Sequence, residues 1–253
     1  MYVDLNCDMG ESFGTYTLGL DEQVMPLITS ANVACGFHAG DPQVMRRTVE
    51  LAGRCGVSIG AHVSFPDLVG FGRREMNAAP VEVENDTLYQ LGAIGAFCQA
   101  AGVRLRHIKP HGALYNMAQK DRALAGGIIR AVTAYDRGLL VFTQPGSALA
   151  LAAESAGLTT VGEVFADRAY NADGTLASRK LPGAVIHDPQ QVAERAARMV
   201  TRGSVTAVDG AEVPLRAQTI CVHGDTPGAV DLIRRIRERL EAAGIGFAPA
   251  GGR

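Results

Sequence analysis

The chain has 253 residues, of which 47% are hydrophobic and 20% charged, and its formal net charge at pH 7 is -2. This balance excludes an intrinsically disordered chain and provides enough apolar surface for one sizeable core. A nearly neutral chain has no general electrostatic attraction to phosphate backbones or to anionic lipid, so neither nucleic acid nor a membrane surface is an expected partner.

Cysteine usage and the start of the sequence indicate the compartment. The five cysteines are widely spaced and form no CxxC pair, which is typical of reduced thiols rather than a disulfide framework. The segment after Met1 alternates polar and apolar residues and does not resemble a secretory leader. No apolar run approaches the roughly 20 residues that a transmembrane helix needs. We therefore expect a cytoplasmic protein.

One unit recurs along the chain: a short apolar strand, a polar loop that contains His or Asp, and an amphipathic helix. The predicted strands are, in chain order, residues 2–7, 31–35, 57–61, 104–109, 139–142, 160–165 and 219–222. Helices fill the intervals, and three are predicted to start at a capping residue before proline, at Asp41, Asp188 and Thr226. Helix ends are predicted at Gly56, Gly102 and Gly244.

Strands that alternate with helices pair in parallel, because each helix carries the chain back across the sheet. Neither GxGxxG after the first strand nor GxxxxGK[ST] occurs, so the two standard nucleotide-binding folds lack their fingerprints. The sequence predicts an α/β fold, a distorted (β/α) barrel of about seven parallel strands. We expect one domain over residues 1–253, with the polar stretch 166–183 as a long loop and candidate lid.

Polar side chains recur at a spacing of two on two strands: Asp4, Asn6 and Asp8 on the first, and His107, Lys109 and His111 on the fourth. This spacing puts each set on one face of its strand, whereas the alternate residues are apolar. One face of the sheet is therefore a polar interior. In a barrel, inward residues at the carboxyl ends of strands meet at the mouth, where barrel enzymes keep their active sites.

Five of the six histidines lie at or just beyond predicted strand ends: His38, His62, His111, His187 and His223. A single histidine is more often a satisfied structural residue than a catalyst. Independent structural histidines have no reason to share the same end of a barrel. Their recurrence therefore favours a functional site at this end.

Three cationic positions have two interpretations each. Arg73 follows a glycine-containing loop and suits a carboxylate or phosphate, although a solvated basic turn is the alternative. Lys109 is predicted to face inward, so it needs either an anionic ligand or an acidic neighbour. Arg168 is interpreted either as an anion binder or as the partner of Asp167 in a simple ion pair.

Six segments resemble the signature blocks of the LamB/YcsF family: DLNCDMGE (4–11), NVACGFHAGD (32–41), GAHVSFPDLVGFGRR (60–74), KPHGALYN (109–116), EVFADRAY (163–170) and VHGDTP (222–227). The resemblance runs in order over about residues 2 to 244, and each block is far more specific than a lone short motif. Val63 stands where the family pattern has Pro, and Cys7 where Ala is usual. Neither departure removes a polar side chain.

The resemblance implies a barrel similar to the glycoside hydrolase/deacetylase barrels and an ATP-dependent 5-oxoprolinase, which opens 5-oxo-L-proline to L-glutamate. It implies two partner subunits, B and C, and ATP used by the complex, with Mg²⁺ accompanying the ATP. The candidate catalytic residues are then Asp8, His38, His62, His111 and His223. The candidates for binding substrate or phosphate are Asn6, Arg73, Lys109, Arg168 and Asp225, and Glu11 and Asp41 are expected either to orient other groups or to act as ligands. The choice of base and the chain that binds ATP stay open.

Two alternatives stay open as well. A metal-dependent deacetylase or amidohydrolase on a related barrel would hold a divalent metal with Asp8, His62 and His111, although no HxxxH or HExxH spacing is present. A non-catalytic subunit would grip a substrate carboxylate with Arg73 and Lys109 and perform no chemistry. Substitutions that abolish turnover but leave ligand affinity intact would separate catalysis from binding.

Overall fold

A computed structural model describes residues 1–178, 180–223 and 228–252, without the side chain of His223. The strands of this part of the chain are β1 Tyr2–Met9, β2 Ser30–Ala34, β3 Ser58–His62, β4 Leu105–Ile108, β5 Leu140–Thr143, β6 Thr160–Phe165, β7 Ser204–Thr206, β8 Glu212–Pro214, β9 Thr219–His223 and β10 Gly246–Phe247. Strands β1 to β6 pair in sequence, and β9 pairs with both β6 and β1. The parallel sheet therefore closes into a barrel.

The helices that the structure describes are α1 Asp21–Val24, α2 Pro42–Cys55, α3 Pro80–Ala100, α4 Gly112–Ala118, α5 Arg122–Tyr135, α6 Ala148–Ser155, α7 Pro189–Arg202 and α8 Ala229–Ala242. Their apolar faces pack against the outward side chains of the strands, such as Leu5, Ile108 and Ile220, which are fully buried. The main apolar core thus lies between barrel and helices, so the interior of the barrel is left for other residues. None of these helices is both long enough and apolar enough to cross a membrane.

The seven predicted barrel strands are confirmed, with ends within two residues of the prediction. The hairpin of β7 and β8 and the short β10 were not predicted, because strands of two or three residues show no apolar repeat. The predicted helix starts at Asp41 and Asp188 are confirmed, since both carboxylates accept backbone N–H groups at the helix start. The predicted start at Thr226 lies outside the described residues.

Asp41 fixes the start of α2 and a loop at the same time. Its Oδ1 accepts the backbone N–H groups of Gln43 at 2.7 Å and Val44 at 2.9 Å, and its Oδ2 accepts that of Gly14 at 2.7 Å. These hydrogen bonds lower the pKa of Asp41, the bond from Val44 most strongly. The structure therefore confirms the helix-capping role predicted for Asp41, and its other predicted role, as an orienter or ligand at the site, stays a prediction.

We expect Asp41→Ala to lower the free energy of unfolding by about 1 kcal/mol, because the first turn of α2 loses its side-chain acceptor. Asp41→Asn is the matched control, since asparagine caps helices as well as aspartate does. Urea unfolding of the three proteins measures the difference. Equal losses in both variants would show that the charge, and not the cap, is what matters.

Candidate active site

The floor of the barrel interior is a hydrogen-bonded carboxylate. Asp4 is buried, and its oxygens accept the hydroxyl hydrogens of Thr29 at 2.6 Å, Ser30 at 2.7 Å and Thr219. Burial raises the pKa of Asp4 and the hydroxyl donors partly offset this effect. Three neighbouring strands are thus tied together at the amino end, so Asp4 has a structural role.

The next level up is an amide and imidazole network. Asn6 Nδ2 donates to Glu163 Oε1 at 3.1 Å and to Thr219 Oγ1 at 2.7 Å, and Asn6 Oδ1 accepts from Asn32 Nδ2 at 2.7 Å. Asn32 Oδ1 in turn lies 2.8 Å from His107 Nε2, which is therefore the protonated nitrogen of that ring. All of these side chains are buried. Asn6, predicted to bind substrate, lies in this supporting network.

His107 is held as a neutral structural residue. Its ring stacks on Phe142 with 4.1 Å between centroids, and burial followed by the nearby Lys109 charge lowers the pKa of His107 to about 3. Gly60 on β3 makes room for it, since a Cβ at that position would overlap the imidazole. His107 therefore supports the site above it.

Lys109 is the buried cation at the centre of the site. Its Nζ lies 2.8 Å from Asp8 Oδ1 and 3.2 Å from Glu163 Oε1, and it also donates to Asn6 Oδ1 at 3.3 Å and Cys221 Sγ at 3.0 Å. Burial opposes the charged form, but Asp8, Cys221 and Glu163 outweigh it and raise the pKa of Lys109 well above its usual value. Of the two partners considered for Lys109, an acidic neighbour is therefore present.

Asp8 connects this cation to the mouth of the barrel. Its Oδ1 accepts from Lys109 Nζ and, at 2.9 Å, from Asn32 Nδ2. Its Oδ2 lies 3.2 Å from His62 Nε2, and the side chain keeps 10% of its surface exposed. The carboxylate is thus fixed from below by two donors while its other oxygen faces the histidines.

Three histidines and Glu11 form the upper level of the site. His62 Nε2 lies 2.9 Å from His111 Nδ1, and Glu11 Oε1 lies 3.2 Å from His38 Nε2 and 3.7 Å from His111 Nδ1. The rings of His38 and His111 stack with 3.9 Å between centroids. Burial, followed by neighbouring imidazoles, lowers the pKa of His38 and of His111 well below the usual value, so both rings are neutral at pH 7.

The loop after β3 closes this level from the side. Phe71 has a positive φ of 54°, a conformation that non-glycine residues adopt at a cost, and its carbonyl oxygen lies 2.9 Å from His111 Nε2. The Arg73 guanidinium stands 4.9 Å from the Phe71 ring and is exposed, whereas Arg74 pairs with Asp67. Arg73 is therefore near the mouth, and its anion-binding role stays a prediction.

The remaining predicted residues are Arg168, His187, His223 and Asp225. Arg168 is buried in the segment after β6, where it donates to the carbonyl oxygens of Ala177 at 2.6 Å and Ala184 at 3.3 Å. His187 follows no strand and is exposed. The backbone of His223 ends β9 beside Asp8, but its side chain and Asp225 lie outside the described residues.

Sequence reasoning missed two members of the site, Asn32 and Glu163. Each is an amide or carboxylate residue in a barrel strand whose other residues are small, apolar or hydroxyl-bearing, and each points inward. The signal was therefore present, because a buried parallel strand normally reads as a continuous apolar run. Tyr115 lies beside Glu163, and burial together with this carboxylate raises the pKa of its hydroxyl well above the usual value.

One ligand atom from each of Glu11, His38, His62 and His111 lies within 4.8 Å of the others, a grouping that can hold a metal ion. The sequence prediction named Asp8 with His62 and His111. His62 and His111 are common to both sets, and Asp8 Oδ2 lies 3.2 Å from His62 Nε2, so the predicted set stays a prediction beside this grouping.

The arrangement combines a fixed carboxylate, neutral imidazoles and a buried ammonium, which are the groups of general acid–base chemistry. All of them come from the carboxyl ends of β1, β2, β3 and β4 or from the loops that follow. A closed parallel barrel with such a cluster at this end is the architecture of a barrel enzyme. The chain belongs to the LamB/YcsF family, whose model matches residues 3–252.

Relatives cover the whole chain. A Symbiobacterium thermophilum protein, named as the A subunit of 5-oxoprolinase, is 58% identical over 249 residues, which are 98% of this chain and 95% of that protein. The crystal structure of a lactam utilization protein from Thermus thermophilus superposes with a TM-score of 0.94 at 50% identity and covers 98% of this chain and 99% of its own.

The fold also has more distant likenesses. A family 4 carbohydrate esterase from Streptomyces lividans covers 100% of this chain and 95% of its own with a TM-score of 0.51, at 13% identity. At that identity the likeness concerns the fold alone. It confirms the predicted similarity to deacetylase barrels.

Proposed function

We propose that the chain is the A subunit of an ATP-dependent 5-oxoprolinase, a cytoplasmic complex with B and C subunits that hydrolyses 5-oxo-L-proline to L-glutamate. The observation that carries this proposal is the 58% identity, over 98% of the chain, to a protein of that name. Similarity of fold would be insufficient, because one barrel fold hosts many unrelated activities.

The chemistry explains why such a complex consumes ATP. The five-membered lactam is a resonance-stabilised amide and a poor electrophile. Transfer of the γ-phosphoryl group to the lactam oxygen gives an imidate-like carbon that water can attack. Water adds its oxygen to that carbon, the ring C–N bond breaks as the nitrogen takes up a proton, and an acyl phosphate remains. A second water hydrolyses this acyl phosphate to the carboxylate of glutamate and inorganic phosphate. Because this chain lacks the GxxxxGK[ST] loop, we assign ATP and its Mg²⁺ to the complex without placing them on this subunit.

Each part of the site suits one task in this reaction. Asp8 Oδ2 faces the mouth and is the proposed base that takes a proton from water. Neutral His38 and His111 are the proposed groups that handle protons at the leaving nitrogen or oxygen. Arg73 at the rim is the proposed partner of the substrate carboxylate or the phosphate.

The first test is glutamate release from 5-oxoproline and ATP. We expect turnover from the chain reconstituted with its B and C subunits and no turnover when any one subunit is omitted. An ATP-only reaction controls for uncoupled hydrolysis, and size-exclusion chromatography confirms assembly. An assembled complex that releases no glutamate would overturn the proposal.

A second candidate is a metal-dependent deacetylase, which the grouping of Glu11, His38, His62 and His111 favours. This activity would need neither ATP nor a partner chain. Acetate release from N-acetylated oligosaccharides by the isolated chain tests it. Glutamate release without acetate release would leave the first proposal standing alone.

A further inference from the structure

Two imidazole nitrogens face each other in the upper level of the site with 2.9 Å between them, His62 Nε2 and His111 Nδ1. In an ordinary hydrogen bond one of the two would carry the proton. Which nitrogen of a neutral ring carries the hydrogen is decided by the partner of the other ring nitrogen. In both rings that partner is a backbone carbonyl oxygen, which can only accept a hydrogen bond.

The carbonyl partners fix the tautomer of each ring, and in both rings the hydrogen lies on the nitrogen that faces away from the other histidine. His62 Nδ1 lies 2.8 Å from the carbonyl oxygen of Lys109, so Nδ1 carries the hydrogen of that ring. His111 Nε2 lies 2.9 Å from the carbonyl oxygen of Phe71, so Nε2 carries the hydrogen there. In the neutral rings, the two facing nitrogens are therefore both lone pairs. Two lone pairs at this distance repel unless a cation lies between them.

Two further donors point into the same space. Glu11 Oε1 and His38 Nε2 lie 3.2 Å apart, and Glu11 Oε1 is 3.7 Å from His111 Nδ1. Ligands about 2.1 Å from a tetrahedral zinc ion are about 3.4 Å from one another. The separations of 2.9, 3.2 and 3.7 Å lie on both sides of this spacing, and all four ligand atoms lie within 4.8 Å of one another.

The charge balance of the site also favours a cation. Among the described residues of this cluster, the carboxylates of Asp8, Glu11 and Glu163 accompany one buried ammonium, that of Lys109, and the side chains of all four are at most 10% exposed. A divalent ion beside Glu11 would add positive charge to this group of buried carboxylates.

We propose that Glu11, His38, His62 and His111 bind one divalent transition-metal ion, with zinc the best match to a set of three imidazoles and one carboxylate. The carbonyl groups of Lys109 and Phe71 act as the outer partners that orient two of the ligand rings, as is common for metal-binding histidines. The positive φ of Phe71 contributes to this arrangement, because it directs the Phe71 carbonyl group toward His111.

When bound, such an ion supplies a Lewis acid that can polarise a carbonyl or phosphoryl oxygen or acidify water. The proposal adds a metal to the site of the proposed 5-oxoprolinase, but it does not depend on that activity. Its test therefore measures metal and not glutamate, so that the failure of one proposal can be told from the failure of the other.

The experiment uses the full chain, freed of any histidine tag, stripped with a chelator and titrated with Zn²⁺ and with Co²⁺. We expect one equivalent of metal per chain by calorimetry and by elemental analysis after gel filtration. We also expect visible Co²⁺ absorption bands of a four- or five-coordinate site, and a higher thermal unfolding midpoint with metal than without.

Glu11→Gln and His62→Asn are the test variants: the first is isosteric, the second keeps an N–H near the position of Nδ1 but removes Nε2, and either one suffices if the other does not fold. Each is expected to weaken binding at least about tenfold and to change the Co²⁺ spectrum. His187→Ala is the matched control, since His187 is exposed and lies outside the grouping. Binding that is substoichiometric in the wild type, or unchanged in both folded variants, would overturn the proposal.

Discussion

Lys109→Met is expected to lower the free energy of unfolding by about 3–5 kcal/mol, because it leaves buried carboxylates without their cation. The ammonium lies 2.8 Å from Asp8 and 3.2 Å from Glu163, and Glu163 is fully buried. Methionine keeps most of the side-chain volume, so the loss reports the charge and not a cavity. Urea unfolding measures the change in stability, and turnover of the reconstituted complex is expected to be lost as well.

Two companion variants make this result specific. Lys120→Met removes an exposed lysine and is expected to leave stability within about 0.5 kcal/mol of the wild type. Adding Glu163→Gln to Lys109→Met removes one of the stranded charges and should recover part of the loss. If Lys109→Met were as stable as the wild type, the carboxylates would have taken up protons in place of the ammonium, and the ion cluster described above would be wrong.

The same cation shows how the site is built into the fold. Lys109 follows β4, and its partners come from β1, β6 and β9, so one side chain connects strands on opposite sides of the barrel. The hydroxyl and amide groups below it satisfy the remaining polar atoms of the interior. A barrel lined in this way gives up apolar packing inside and relies on the layer between strands and helices for its core.

Much of this site could be predicted from the sequence because two simple repeats carry it. The spacing of two on β1 and β4 predicts that Asp8 and Lys109 face inward, and the recurrence of histidines at strand ends predicts that His38, His62 and His111 meet. Both rules follow from backbone geometry, so they hold without knowledge of the side-chain contacts.

The remaining features depend on tertiary contacts that no repeat encodes. Glu163 is a single charged residue in its strand, and its pairing with Lys109 requires β6 and the end of β4 to face each other across the barrel interior, with β5 between them in the sheet. The orientation of the Phe71 carbonyl depends on a positive φ, which the sequence does not signal at a non-glycine residue. In the sequence, Asp41 has features of both a helix cap and a site residue. Only its hydrogen bonds to backbone N–H groups in the structure identify it as a cap.

Asp8→Asn is expected to reduce turnover of the reconstituted complex by about 10³-fold, the usual contribution of a general base. Asparagine keeps the oxygen that accepts from Lys109 and Asn32, so the side chain should remain in place. The amide nitrogen that replaces Oδ2 cannot take a proton from water. We therefore expect kcat to fall while KM for 5-oxoproline changes little, as measured by steady-state glutamate release.

Asp4→Asn is the matched control for this variant, because Asp4 lies on the same strand and the same face but at the floor of the barrel. Its carboxylate accepts from the hydroxyl groups of Thr29, Ser30 and Thr219 and from the backbone of Ala250, all of which have structural roles. An amide in that place would lose an acceptor and lower stability, yet the folded fraction should turn over at the wild-type rate. Should Asp8→Asn retain full kcat, Asp8 would be a structural partner of Lys109 like Glu163, and the base would have to be sought among the histidines above it.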